Sequence, residues 1–147
     1  MKTKLLLTLL LSFSLSVFSQ THKEKRDQIK ALKVSFLTTE LKLTSQESAK
    51  FWPIYNAYEE KEFEIKHDKM RSIIKKIENA GESLTEKDAS NYLNQFQEAE
   101  KELVELKGKM IADLKPVIGS VKLLKLQKAE FDFNRKLLSK WKDKHKE

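Results

Sequence analysis

LTEKDASNYLNQFQEAEKELVELKGKM, the stretch Leu84–Met110, decides the fold. It opens on Thr85 with Asp88 three residues later, a pairing that satisfies exposed backbone N–H groups at a helix start. Behind it Ala89, Tyr92, Phe96, Ala99, Leu103, Leu106 and Met110 alternate steps of three and four. Such a stripe, kept up for three heptads, belongs to a helix that packs lengthwise on another helix. Upstream, Leu43-Thr44-Ser45-Gln46-Glu47 repeats the start signal, with a Glu long enough to return a bond to the capping residue. The spacing of Phe51, Ile54, Tyr55, Tyr58, Met70, Ile73, Ile74 and Ile77 predicts a helix from there to about Asn79, stopped by Asn79-Ala80-Gly81. Pro53 predicts a kink near its start, because proline removes one helical bond and crowds the preceding turn. A first helix is expected over 23–41 through Ile29, Leu32, Phe36 and Leu41. A fourth is expected after Lys115-Pro116-Val117-Ile118-Gly119-Ser120, carrying Leu123, Leu124, Leu126, Phe131, Phe133, Leu137, Leu138 and Trp141, with residues 142–147 as a fraying tail. No segment alternates as a strand does. The expectation is an all-α chain of four long helices forming one domain over 20–147.

The first residues differ in kind. Met1-Lys2-Thr3-Lys4 precedes an apolar run, Leu5 to Phe18, too short for a membrane span and followed at once by polar residues. This predicts a secretory signal peptide over residues 1–19, cut after Ser19, and no stable membrane insertion. The chain has no cysteine, so neither a disulfide nor a cysteine-linked lipid anchor is available. After the expected cut, 27 basic and 22 acidic residues remain, a moderately basic balance of +5. Export takes chromosomal DNA and cytoplasmic RNA out of reach, so no nucleic-acid partner is expected; acidic proteins or lipid headgroups are the partners such a charge suits. With three Gly and two Pro, little is left for turns.

Chemistry is sparse. His22, His67 and His145 stand far apart, and none forms the i, i+3 or i, i+4 pair that presents two imidazoles on one helical face. The serines lie at helix starts or on solvated faces without a Gly-flanked elbow, and no glycine loop could cradle a phosphate. Glu59, Glu60, Glu62 and Glu64, and again Glu98, Glu100, Glu102 and Glu105, read as a solvated helical face interleaved with Lys. No enzyme activity, metal or cofactor is expected. Two groups of residues have a functional alternative to their plain structural role. Phe51, Trp52, Tyr55 and Tyr58 have core spacing first, and a client- or partner-binding lining second. Lys122, Lys125, Lys128, Arg135, Lys136 and Lys140 read first as solvated, and second as a positive rim that draws acidic segments toward an apolar patch.

Leu43-Thr44-Ser45-Gln46-Glu47, opening a long helix, resembles the LTxxQ signature of the Spy/CpxP-like periplasmic stress proteins, and Lys50–Glu59 resembles a branch described as periplasmic heavy-metal sensors or sensors of an extracytoplasmic-function sigma factor. The likeness covers about residues 24–141. Glu47 replaces the signature's Gln, and the second copy is reduced to Ile118-Gly119-Ser120-Val121-Lys122. The resemblance implies helical hairpins paired into a cradle-shaped antiparallel homodimer in the periplasm. It implies either an ATP-independent holding chaperone for unfolded clients or a stress sensor bound to one membrane-bound regulator, sometimes with metal. Leu43, Thr44 and Glu47 are its motif positions.

Overall fold

The computed structural model describes residues 23–144, with side chains to residue 140. The expected signal peptide and its cut after Ser19, His22, His145 and the indole of Trp141 lie outside the described residues. Among those described, helix α1 covers 23–41, α2 Ser45–Phe63, a π-helical segment Glu64–Met70, α3 Arg71–Ala80, a 3-10 turn Gly81–Ser83 and α4 Glu86–Lys144. No strand occurs among them, and the fold is all-α.

Among the described residues the helices form three continuous stretches instead of the expected four, because α4 runs through the Pro116–Ser120 punctuation. Pro116 removes one backbone bond, but only Gly119 leaves helical geometry, at φ 74 and ψ 165. That conformation is open almost solely to glycine. It kinks α4 and resets its buried face: Met110, Leu114 and Ile118 step by four, and Leu123 follows Ile118 by five. No new cap or loop is needed at Ser120, and none forms. Pro53 stands inside α2, which is α-helical from Ser45 to Phe63.

Glu64–Met70 departs from α geometry, and the phase of the buried face requires it. Phe51, Tyr55, Tyr58 and Ile65 share the buried face of α2 and its continuation. A regular helix would next turn Lys69 and Ser72 inward. The widened turn, in which the Arg71 N–H bonds to the carbonyl of Lys66 five residues back, brings half-buried Met70 and buried Ile73 onto that face.

Both start signals form. Thr44 caps α2: its hydroxyl accepts the Glu47 N–H at 3.1 Å, and the Glu47 carboxylate accepts the Thr44 N–H at 2.8 Å. At Thr85 the hydroxyl accepts the Asp88 N–H at 3.1 Å and donates to the Asp88 carboxylate at 2.7 Å. Asp is one methylene shorter than Glu and takes the nearer hydroxyl. α3 ends on Gly81 at φ 50, as the Asn79-Ala80-Gly81 stop predicts.

Packing gathers the described residues into two compact units. In the unit Leu43–Lys125, the side chains of Phe51, Tyr55, Tyr58, Ile65 and Ile73 are buried, as are Ala99, Met110, Leu114, Ile118 and Leu123 of α4. None of the seven residues of the heptad stripe is exposed. Lys122 meets Glu47 and Lys69 meets Glu102, so contacts descend α4 as they ascend α2 and the π segment, and the two run antiparallel. In the unit formed by 23–42 and 126–144, Leu37, Leu41, Leu126, Ala129 and Phe133 are buried. Phe36 and Phe133 pack there with ring centroids 5.6 Å apart. No described helix is long and apolar enough to cross a membrane.

Candidate functional site

The LTxxQ-like positions build a tie between helices. Leu43 is half-buried, Thr44 is the cap, and Glu47 serves both the cap and the Lys122 ammonium, which donates to Glu47 Oε2 at 2.6 Å. The Lys122 bond, then the Thr44 backbone N–H, hold the Glu47 carboxyl below its ordinary value of 4.5. Lys122 is therefore engaged by its own chain. A depressed carboxyl pKa stabilises the fold above the unfolded-state value and ceases to do so as pH falls through the folded one. Glu64, lowered by Lys61, and Asp132, lowered by Lys128, act in the same direction. The melting temperature is expected to drop as pH falls from about 6 to about 2 at low salt. Glu47→Gln should flatten part of that limb, and an unchanged limb in a melting series would remove Glu47 from the role.

The aromatic positions separate. Phe51 and Tyr55 are 0% exposed and Tyr58 is buried, all within their own unit. Phe51 stacks on Tyr55 at 5.1 Å, while Trp52 meets the edges of both rings at 4.9 and 5.8 Å. Half-buried Trp52 is thus the member of the group that still has surface to offer. The Tyr58 hydroxyl donates to Glu62 at 3.0 Å and Lys66 donates to the same oxygen at 2.7 Å, a ladder with one rung per turn. His67, in the π segment, stacks on Phe63 at 4.1 Å. Among the described residues no three His, Asp or Glu gather where they could hold a metal ion.

Of the basic positions, Lys125 is exposed in the larger unit. Lys128 and Arg135 lie in the smaller unit, both within ion-pair reach of Asp132. The Arg135 guanidinium also sits 6.0 Å from the centre of the Phe131 ring. Lys128, Phe131, Arg135 and Leu138 step by three, four and three, which puts them on one helical face, and all four are exposed. Phe131 is 67% and Leu138 61% exposed. Apolar side chains are equally open in the larger unit, at Leu93, Val104, Val121 and Leu124.

Sequence reasoning assigned Phe131, Leu124 and Leu138 to apolar stripes without separating them from the core. A signal was present in the doublets Leu103-Val104, Leu123-Leu124 and Leu137-Leu138: adjacent residues lie about 100° apart on a helix, so one narrow seam cannot bury both. In each doublet the second residue is the exposed one.

Comparison of the chain with family models, with curated proteins and with solved structures finds no match in any of the three.

Proposed function

We propose that this protein is an exported, ATP-independent holding chaperone of the bacterial periplasm, which binds unfolded or partly folded proteins through exposed apolar side chains set among cations. The observation that carries the reading is the surface of α4, where Phe131 and Leu138 stand open beside Lys128 and Arg135. Large side chains of this kind cost free energy in water unless something covers them at least part of the time. Interleaved cations attract acidic segments of a client and keep the apolar face from collapsing on itself. The LTxxQ-like cap at Thr44 and Glu47 and the Lys50–Glu59 segment support the same reading, through the resemblance to Spy/CpxP-like proteins. With it we adopt hairpins arranged as a cradle and an antiparallel homodimer as the working form.

The test is light scattering of several unrelated proteins, reduced or heated, with the purified protein and no ATP. Suppression of aggregation across clients is expected, and Phe131→Glu with Leu138→Glu should abolish most of it while circular dichroism stays unchanged. Suppression of none of them would end the chaperone reading. Tight binding of one membrane-bound regulator alone would then identify the protein as a stress-sensor module.

A further inference from the structure

The chain's positive charge is not spread evenly. Residues 43–125 hold fourteen Lys and Arg against fifteen Asp and Glu, whereas the described side chains of the other unit, 23–42 and 126–140, hold ten against five. In that basic unit a groove of about 450 Å³ opens between α1 and α4, within the size range of small-molecule sites. Its walls are Leu32, Phe36, Phe133 and Leu137, and two lysines one helical turn apart, Lys136 and Lys140, stand at its border with one carboxylate, Glu40.

Two of the three hydroxyls that line the groove are already engaged by backbone carbonyls. Thr39 Oγ1 donates to the Ser35 carbonyl at 3.0 Å and Ser139 Oγ to the Lys136 carbonyl at 2.9 Å. The groove interior therefore asks for hydrocarbon. The border asks for an anion: Lys136 lies 4.8 Å from the centre of the Phe36 ring, and neither Lys136 nor Lys140 is in an ion pair among the described residues. A second copy of this unit would set like charge against like charge, which disfavours it as the occupant.

We infer that the groove between α1 and the C-terminal part of α4 binds a single-chain anionic amphiphile, its hydrocarbon tail along Leu32, Phe36, Phe133 and Leu137 and its carboxylate at Lys136 and Lys140. This site goes beyond the chaperone reading and stands without it, since it rests on the groove between α1 and α4 and not on the exposed face of Phe131 and Leu138.

The experiment is calorimetric titration of the purified protein with decanoate and dodecanoate below their micelle concentrations. Dodecyltrimethylammonium, with the same tail and opposite charge, is the first control, and phosphatidylglycerol vesicles are the second. Saturable binding of one dodecanoate per chain is expected, roughly fifteenfold tighter than decanoate because each of its two extra methylenes contributes about fourfold. The cationic amphiphile should bind more weakly than dodecanoate. Lys136→Glu with Lys140→Glu, both exposed and in no ion pair among the described residues, should weaken dodecanoate roughly tenfold. Leu32→Glu provides a second variant at an exposed wall position if the first pair disturbs the helix content read by circular dichroism. Equal affinity for the cationic amphiphile, indifference to tail length, or unchanged binding in the variants would overturn the assignment. So would capture by vesicles without binding of free dodecanoate, which would make the surface a membrane-contact face. Loss of client holding with dodecanoate binding intact would count against the chaperone reading alone.

Discussion

Phe51→Ala is expected to remove about 3–5 kcal/mol of stability, the largest effect of any single substitution proposed for this chain. Phe51 is 0% exposed and lies between Tyr55, stacked at 5.1 Å, and Trp52, whose ring it meets edge-on at 4.9 Å. Truncation deletes the transfer free energy of a whole ring and leaves a space that α2 cannot close by sliding. The helix is anchored one turn earlier by the Thr44–Glu47 cap and by the Lys122 bond to Glu47. Its neighbours would also lose their aromatic contacts, worth roughly 0.5–1.5 kcal/mol per pair. Urea unfolding followed by circular dichroism should show a midpoint far below that of the parent protein. A loss under about 1 kcal/mol would mean the site refills, and that the aromatic cluster does not hold the larger unit together.

Gly119→Ala and Gly108→Ala should move stability in opposite directions. At φ 74 and ψ 165, Gly119 occupies backbone space that a Cβ strains by about 1–3 kcal/mol. Nothing lies within 4 Å of the position a Cβ would take, so the strain is in the backbone alone. If the variant escaped that strain by becoming helical, the residues beyond it would rotate relative to those before it. Leu123 would then leave the face that Met110, Leu114 and Ile118 share. Either route destabilises. Gly108 is exposed within regular helix, again with nothing near its Cβ, and there alanine should add about 0.5–1 kcal/mol by restricting the unfolded chain and improving helix propensity. Both variants belong in one series of denaturant titrations, and the same sign of change in both would contradict the kink at Gly119.

Much of the architecture is legible in short patterns. Thr44 with Glu47 and Thr85 with Asp88 act within one turn, so their meaning survives any packing, and both helices begin where these residues place them. The stripe from Ala89 to Met110 is likewise a local record of one buried face. What escapes are features decided by partners far along the chain. Pro116 and Gly119 look like an ending because each weakens a helix, yet buried side chains on either side, Leu114 and Leu123, keep α4 going through them. The π segment is invisible to a search for apolar residues, since Met70 and Ile73 fit a helix taken alone; only their phase against Ile65 betrays the extra residue. The surface is harder still. Phe51 and Tyr55 are as apolar as Phe131, and nothing in their own spacing says that the first two are enclosed and the third is open. The uneven charge becomes visible only once 23–42 and 126–144 are known to pack together.

The widened turn at Glu64–Met70 also bears on how the chain would accept a change in its length. A π turn is a helix carrying one residue more than its buried seam requires, with the surplus absorbed in one place. Ile65 near its start and Ile73 just after it lie on the same buried face because that extra residue is taken up between them. The segment is thus the place where one residue fewer would return the helix to regular α geometry with Ile65, Met70 and Ile73 still on one face.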